Sequence, residues 1–541
     1  MQHRLSELLT PELRTRARIL ETRSAWPRKP IPDHTVTGLT YDSRKVDPGF
    51  IYFALPGLHA DGRDYIPQAI KHGAVAVVHQ ETLAAYMPNI AYIRVEDARF
   101  AMSPFADAFW AYPSRSLAVV GVTGTEGKST TVFLTYQLLD LAKKRVGFVS
   151  TVQYRSGDTE EWNPEHQTTP EAPTVHGALA AMRDNGMEYA VLEASSHGLS
   201  PRTNRLGDVA FDVAVMTNVT HEHLEFHGSR EQYRDDKANL FRALDLFPHE
   251  KVLGLPVAAD ASSGAGAVRI PAFGVANADD ESAGYFASAT KLPVYTFSGK
   301  GADADLSLRS ITPDIGGNSY EILVRETGRT LALQDRLPGA FNALNVMAAL
   351  LVVSGLLERS VEELAPLVPL LRPVRGRMSV VDRGQKFEVL VDYAHTPSSF
   401  ETVLPPLEKR VHGRGGRLIS LFGSGGERDR EKRPRQGRIA ADWSDIVILA
   451  DEDPRGEDPM ELLEEIAAGC PEKMRDSELF LIPDRPTAIR KAFSLAKEGD
   501  LVLLLGKGHE NSIIYRNETR PYDEIAEAEK ALAEAGCGDT R

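Results

Sequence analysis

The sequence predicts an α/β protein of three domains, with a central domain on a parallel or mixed sheet and a doubly wound C-terminal domain. Its 541 residues are too many for one ordinary domain. A glycine-rich stretch, GVTGTEGKSTT (Gly121–Thr131), stands between the apolar run Leu117–Val120 and the apolar-periodic VFLTYQLLDLAKK. Strand-length apolar runs alternate with helical segments in two separate stretches, the pattern of parallel sheets with helices on both faces.

Residues 1–113 read as a leading helix and then short strands, GFIYFAL and AVAVVHQ, with the helical YIPQAIKHG between them. YPSRSL at 112–117 reads as a linker into a second domain, 114–372. There LAVVGVTG, RVGFVS, YAVLEASS and DVAVMTN are strands, and TVHGALAAMRDNG is a helix. The Ala-, Gly-, Ser- and Asp-rich segment 254–289 reads as irregular surface, a tolerated insertion. LRPVRGRMSVV marks a second junction, and alternation resumes over 373–541 with FEVLVDYAH, RLISLFGSGG, DIVILADEDP, LFLIPD and LVLLLGKGHE. Ligands of such Rossmann-like sheets bind beyond the carboxyl ends of strands, where DYAHTP, GSGGERD, DEDPRGEDP and GKGHE fall.

Hydrophobic residues make up 42% and charged residues 26%, which fits a folded protein with a sizeable core. A net charge of −14 argues against nucleic-acid binding, since phosphate contacts need a basic surface. It leaves an anionic small substrate open, because local lysines and arginines decide that. Two cysteines, Cys470 and Cys537, make neither a disulfide framework nor a zinc quartet. The charged, amphipathic N-terminus lacks the apolar core of a signal peptide, and runs such as DLVLLLG are far short of a membrane span. A cytoplasmic protein is expected.

The loop at 121–131 suits phosphate. Glycines let backbone N–H groups turn toward one point, and the following helix adds its positive N-terminal dipole. Lys128 would reach β/γ-phosphates and the Ser129 hydroxyl would ligate Mg²⁺. The spacing departs from G-x-x-x-x-G-K-[ST]: the expected first glycine falls on Val122, and Gly121 lies one residue early. Glu193 ends an apolar strand downstream, as suits a carboxylate on Mg²⁺ opposite Ser129. Asp451, Glu452 and Asp453 also follow an apolar strand, but in the third domain, and are expected to serve another ligand. His221, Glu222, His223, Glu225 and His227 read either as a metal cluster or as a polar loop before a helix. Lys237, after two aspartates and before an apolar turn, taken alone is an ordinary surface lysine.

GTEGKST, YAVLEASSHGL, TNVTHEHLEFHGSREQYRDDKANLF, LPGAFNALNVMAAL, VDYAHTP, FGSGGERDREKRP, DEDPRGEDP and GKGHE occur together in this order. With them the chain closely resembles the Mur ligase family, from about Asp42 to about Glu510. The family's shorter G-T-x-G-K-[ST] loop matches the odd spacing here. The resemblance implies a UDP-substrate domain, a central P-loop ATPase domain and a C-terminal domain that closes over the site. It implies ATP-driven amide formation in peptidoglycan precursor synthesis, joining a diamino acid to a UDP-linked muramoyl-dipeptide through an acyl phosphate. ATP and Mg²⁺ are the implied cofactors, and monomer is the family's usual state. A relative of folylpolyglutamate synthetase type would lack DYAHTP, GSGGERD and DEDPR together. An inactive binding scaffold is disfavoured because Lys128, Glu193, His223 and Lys237 are all present.

By the same resemblance, Gly124, Thr125, Glu126, Gly127, Lys128, Ser129 and Thr130 hold the ATP phosphates. Glu193 takes one Mg²⁺ with Ser129, and His223 serves a second. Lys237 matches the lysine that the family carbamylates, an anionic oxygen ligand in place of a cation. Asn342 and Asn345 meet adenine, Asp392 meets ribose, and Arg377 neutralises charge on the transferring phosphoryl group. Ser43, His59 and Ala60 serve the UDP end. Gln167, Thr168, Thr169, Ser195 and Arg205 serve the muramoyl-dipeptide, Arg205 being preferred to Arg202 because the LSPRTNRL loop looks about two residues longer than usual. Arg428, Glu452, Asp453, Pro454, Arg455, Gly506 and Glu510 meet the incoming amino acid. The form associated with meso-diaminopimelate is D-N-P-R. Asp453 replaces its asparagine, and the added negative charge would repel a second carboxylate. That favours lysine or ornithine, although Arg455 keeps meso-diaminopimelate open.

Overall fold

The computed structural model describes residues 1–26, 29–57, 61–163, 167–220, 224–253, 266–314 and 316–537. By its contacts the chain divides into two units, one of residues 1–311, 319–334 and 341–371, the other of 312–318, 335–340 and 372–541.

The first unit begins with two short helices, α1 (Leu5–Leu8) and α2 (Pro11–Arg16), where one leading helix is expected. The break has a local cause. Pro11 has no N–H to continue a helix, and the Thr10 hydroxyl caps the new one by accepting from Leu13 N at 3.1 Å. Five strands follow: β1 (Ile19–Arg23), β2 (Gly38–Thr40), β3 (Phe50–Phe53), β4 (Ala76–His79) and β5 (Ala91–Val95). They pair in the order β1-β5-β4-β3-β2, parallel except for β1. α3 (Ile66–Lys71) connects β3 to β4, and α4 (Ala98–Phe109) packs Met102, Phe105 and Phe109 into the core beneath Phe53 and Ile93. Residues 112–117 are not a free linker. Pro113–Ser116 form a 3₁₀ turn with Ser114 and Ser116 buried, and Lys251 Nζ donates to the carbonyls of Ser114 (3.1 Å) and Leu117 (2.8 Å).

Most of an eleven-stranded sheet lies in the same unit. Its strands are β6 (Ala118–Thr123), β7 (Val146–Val149), β8 (Gln153–Arg155), β9 (Glu161–Trp162), β10 (Tyr189–Glu193) and β11 (Val213–Met216), then β12 (Phe273–Asn277), β13 (Val294–Ser298), β14 (Leu306–Asp314), β15 (Gly317–Val324) and β16 (Arg329–Gln334). The spatial order is β9-β8-β7-β10-β6-β11-β12-β13-β14-β15-β16. From β7 to β14 the pairing is parallel. The central strands are buried on both faces, which explains their unbroken apolar runs. α5 (Lys128–Leu141), α6 (Ala172–Asp184), α7 (Ser196–Leu199), α8 (Arg230–Ala243) and α9 (Asn342–Leu357) accompany it.

The reading of 254–289 as irregular surface is corrected over 273–277. β12 is buried throughout and pairs with both β11 and β13. Composition misleads because a small residue serves a close approach as well as a loop. A Cβ on Gly274 would stand 2.6 Å from Phe241 Cε1, so its absence lets α8 settle on the sheet. Residues 254–265 lie outside the described residues.

The second unit is a six-stranded sheet of β17 (Ser379–Val380), β18 (Glu388–Asp392), β19 (Leu418–Phe422), β20 (Ile446–Leu449), β21 (Leu479–Leu481) and β22 (Leu501–Leu505). The order is β17-β18-β22-β19-β20-β21, parallel except for β17. α10 (Pro397–His412), α11 (Lys432–Trp443) and α12 (Pro459–Ala467) bury Phe400, Leu404 and Leu463 on one face. α13 (Arg485–Leu495) and α14 (Glu524–Glu534) bury Ile489 and Leu532 on the other. Among the described residues, no single helix is long and apolar enough to cross a membrane.

Candidate functional site

β6 ends at Thr123 and α5 begins at Lys128, so GTEG is the whole turn between strand and helix. Gly124 (φ +153°) and Gly127 (φ +80°) hold backbone conformations that a side chain would strain. The neighbouring strand end staples the loop. Thr125 N donates to Asn218 O and Glu126 N to Asn218 Oδ1, both at 2.8 Å, while Thr217 Oγ1 donates to Glu126 O at 2.6 Å. The N–H groups of Thr125 and Glu126 are thereby engaged within the protein. The first helical bond runs from Thr131 N to Gly127 O, so the N–H groups of Lys128, Ser129 and Thr130 face the open helix start. Lys128 Nζ folds back onto Thr125 O at 2.7 Å. A Cβ on Gly127 would lie 2.6 Å from Asn345 Oδ1. Gly127→Ala therefore forces a left-handed alanine, about 1–2 kcal/mol, and pushes the Asn345 amide off Thr131; the apparent KM for ATP should rise about tenfold or more, read by steady-state kinetics.

β10 delivers Glu193 beside this loop, because β10 and β6 are parallel neighbours with Glu193 opposite Val122. Glu193 is buried, and Ser129 Oγ lies 2.9 and 3.0 Å from its two carboxylate oxygens. Thr151 N and Oγ1 donate to Oε2 at 2.8 and 3.0 Å. A hydroxyl and a carboxylate at one point are hard oxygen donors, the set that Mg²⁺ takes. Lys237, on α8, is not a surface lysine: it is 1% exposed, with Nζ donating to Gly124 O at 2.6 Å and standing 4.4 Å from the centre of the Tyr233 ring. His221, Glu222 and His223 lie outside the described residues. His227 is a buried structural histidine, with Nδ1 2.7 Å from Asp236 Oδ2 and Nε2 3.0 Å from Ser196 Oγ. Among the described residues no three His, Cys, Asp or Glu side chains form a metal cluster.

Asn345 joins the phosphate loop directly: Thr131 Oγ1 donates to its Oδ1 at 3.3 Å, and its Nδ2 donates to Asn342 Oδ1 at 2.9 Å. On the other side of Glu193, Thr169 Oγ1 donates to the Glu193 carbonyl and accepts from Ser195 N, both at 2.9 Å. Ser195 Oγ caps α7. Arg205 Nη1 donates to Thr169 O at 2.7 Å and Nη2 to Glu171 at 2.9 Å, whereas Arg202 reaches Phe226 O instead. Gln167 is exposed and Thr168 half-buried beside them. Farther toward the N-terminus, Ser43 is buried with Oγ donating to Gln68 Oε1 at 3.1 Å. Next to it a cavity of about 200 Å³ is lined by Thr40, Asp42, Lys45, Phe50 and Thr174. His59 and Ala60 lie outside the described residues.

In the second unit the four polar loops meet at the carboxyl ends of the strands. Asp392 accepts Ala394 N (2.8 Å) on one oxygen and Met378 N (2.7 Å) on the other, so both oxygens already hold the turn. Burial pushes its carboxyl above the ordinary range, against the pull of Arg377. The Arg377 guanidinium stacks 4.6 Å from the Tyr393 ring centre. Gly425 bridges Asp453, and Gly426 N donates to Asp453 O at 2.8 Å. Arg433, fully buried, donates to Gly425 O (3.2 Å) and to both Glu457 oxygens (2.7 and 2.9 Å), tying the GSGGERD loop to the loop after Pro454. Arg428 is exposed; Arg455 sits at φ +55° with its N–H on Ile514 O. Gly506, at φ +96°, leaves room for Glu452, whose Oε2 would lie 2.7 Å from a Cβ there.

The charge that the sequence shows on Asp453 has a partner in the fold. Its Oδ1 accepts from Lys507 Nζ and Ile514 N, each at 2.9 Å, and Lys507 Nζ also lies 2.5 Å from Glu510 Oε2. Asp453 is thus an ion-paired carboxylate that shares its lysine with Glu510. Thr151, Asn218, Arg433 and Lys507 escape sequence reasoning. Asn218 ends the strand DVAVMTN, and Arg433 and Lys507 lie inside FGSGGERDREKRP and GKGHE without being singled out there.

A strand–loop–helix phosphate cradle with a carboxylate at the next strand end defines a P-loop nucleotide-binding α/β protein. The chain belongs to the Mur ligase family: residues 35–110 match its catalytic domain, 122–247 and 266–353 the Mur ligase middle domain, and 376–508 the glutamate ligase domain. It is 50% identical to UDP-N-acetylmuramyl-tripeptide synthetase of Treponema denticola, over 93% of this chain and 94% of that one. It is 35% identical to UDP-N-acetylmuramoyl-L-alanyl-D-glutamate–2,6-diaminopimelate ligase of Geobacillus thermodenitrificans, over 92% and 95%. A solved diaminopimelate ligase of that name superposes with a TM-score of 0.59 at 27% identity, covering 99% of this chain and all of the other. A MurF ligase from Thermotoga maritima in complex with ADP shares the fold, with a TM-score of 0.58 at 21% identity over 92% and 99%.

Proposed function

We propose that this protein is an ATP-dependent ligase that joins a diamino acid to UDP-N-acetylmuramoyl-L-alanyl-D-glutamate in peptidoglycan precursor synthesis. The observation that carries the reading is the chain of hydrogen bonds that links Arg205 and Ser195 through Thr169 to Glu193, the residue bonded to Ser129 of the phosphate loop. A substrate carboxylate held by these residues would be within reach of a phosphate in that loop. A bare carboxylate is a poor acyl donor. Its oxygen attacks the γ-phosphorus, the β–γ bridging P–O bond breaks and ADP leaves, giving an acyl phosphate. The amino-acid amine then adds to the carbonyl, loses a proton, and inorganic phosphate departs with the C–O bonding pair.

Lys128 and the N–H groups at the start of α5 hold the transferring phosphoryl group, and Arg377 supplies a further positive charge to it. Asn342 and Asn345 receive adenine, and Asp392 fixes the turn that meets ribose. Ser129 and Glu193, with His223 and a carbamylated Lys237, would hold Mg²⁺, which when bound offsets phosphate charge. Ser43, with His59 and Ala60, receives the UDP end, and Arg428, Glu452, Arg455, Gly506 and Glu510 receive the amino acid. The diamino acid is lysine, ornithine or meso-diaminopimelate. Division into domains at 1–113, 114–372 and 373–541, a monomeric state and a cytoplasmic location complete the proposal.

The test is incubation with ATP, Mg²⁺ and the UDP-muramoyl-dipeptide, with and without each diamino acid. Phosphate should be released in step with UDP-muramoyl-tripeptide. Turnover of a folate substrate with glutamate instead, or ATP binding without product, would replace this reading by a folylpolyglutamate-type ligase or a binding scaffold.

A further inference from the structure

We propose that Lys507 is a positioning residue that takes Asp453 out of amino-acid recognition. Its buried ammonium locks Asp453 and Glu510 together and weakens the charge that Asp453 would otherwise show to the incoming amino acid. The inference rests on the ligase reading above.

Lys507 is 0% exposed, yet it is the second residue of a loop that leaves the carboxyl end of β22. Left-handed glycines on both sides, Gly506 (φ +96°) and Gly508 (φ +46°), turn the chain so that this lysine points inward. There its Nζ meets Asp453 Oδ1 at 2.9 Å and Glu510 Oε2 at 2.5 Å. Each carboxylate has a second anchor. Ile514 N donates to Asp453 Oδ1 at 2.9 Å, and Tyr393 OH donates to Glu510 Oε1 at 3.3 Å. The Asp453 carbonyl also receives Gly426 N. One ammonium therefore gathers loops from the ends of β18, β19, β20 and β22. A buried pair with this many bonds is costly to break from one side, because the partner is left charged and unpaired.

The consequence is chemical. With Asp453 Oδ1 held by Lys507 and Ile514 N, the groups of its loop that lack such a partner are Glu452, whose Oε2 is buried with none, and Arg455, whose Nε is likewise unpartnered. The exchange of asparagine for Asp453 then weighs little for or against a second substrate carboxylate. Choice among diamino acids falls to those two groups and to the depth of the pocket.

The experiment compares kcat/KM for lysine, ornithine and meso-diaminopimelate in the full-length wild type, Asp453→Asn, Lys507→Met, Lys507→Arg and the Asp453→Asn/Lys507→Met pair. Asp453→Asn should change all three by a common factor, leaving their ratios within about twofold. Where wild type accepts one amino acid alone, it should admit no second. Lys507→Met, which bares two carboxylates, should lower the diaminopimelate-to-lysine ratio about tenfold. Adding Asp453→Asn to it should restore the ratio, which a merely structural role of Lys507 would not do. Lys507→Arg should keep the wild-type ratio. A tenfold change of ratio in Asp453→Asn alone, or no change in a Lys507→Met protein that still forms acyl phosphate, overturns the proposal. If Lys507→Met does not fold, Asp453→Asn and Lys507→Arg decide it. A wild type that uses none of the three amino acids refutes the ligase reading itself.

Discussion

Lys128→Ala and Glu193→Ala each abolish acyl-phosphate formation while the UDP-linked substrate still binds. Lys128 is the one lysine of the phosphate loop. Its alanine variant removes a cation from the transferring phosphoryl group, where a single preorganised donor is worth about 10²–10³ in rate. Glu193→Ala acts differently. Three donors, Ser129 Oγ, Thr151 N and Thr151 Oγ1, converge on this one buried carboxylate. Without it they face each other in a cavity, and the negative charge offered to a cation is gone. Glu193→Gln, which keeps the shape and loses the charge, separates the two effects and should be nearly as inactive. Uridine recognition is assigned to the Ser43 loop, on a different sheet of the same unit, so calorimetric binding of the UDP-substrate should survive. Hydroxamate trapping reads the acyl phosphate. Trapping at near wild-type rate in either alanine variant would move the ATP site elsewhere.

Lys237→Ala loses most activity, by about 10² or more, and short carboxylates such as formate or acetate restore part of it. Lys237 is nearly fully buried on α8, with Nζ 2.6 Å from the carbonyl of Gly124, so the amine stands at the edge of the phosphate loop. Attack of the neutral amine on CO₂, with loss of a proton, converts it to a carbamate. The site then gains an anionic oxygen donor in place of a cation that would compete with Mg²⁺. A small carboxylate diffusing into the space left by alanine supplies the same oxygens. Carbon-13 NMR of protein equilibrated with labelled bicarbonate should show a carbamate signal in wild type and none in Lys237→Ala. Absence of that signal together with absence of rescue would refute the modification.

What the sequence made legible was local. Unbroken apolar runs announced the buried parallel strands, and the turn from Gly124 to Lys128 is complete within a few residues, so its glycines and lysine between a strand and a helix exposed it despite the unusual spacing. Glu193 was legible because a parallel strand puts its last residue at the ligand end of the sheet. The partners that hold these residues were not, because nothing in a sequence fixes which distant side chain will arrive. Thr151 and Asn218 look like any polar residue after a strand. The charge argument on Asp453 lacked that residue's ion-pair partner for the same reason: Lys507 lies 54 residues away. Smallness misled at β12, where Gly274 and Ala276 mark tight packing and were read as loop composition.

The clasp between Thr131 and Asn345 spans 214 residues of chain. A ribosome adding about 5–20 residues per second needs roughly 10–40 s to bridge that interval. Through it the emerging glycine turn lacks α9, which closes its far side. Nucleotide therefore cannot act as an early template for this protein as it is made. It can stabilise only a nearly finished first unit, and a chain truncated before residue 342 should be degraded no more slowly in ATP-rich cells than in ATP-poor ones.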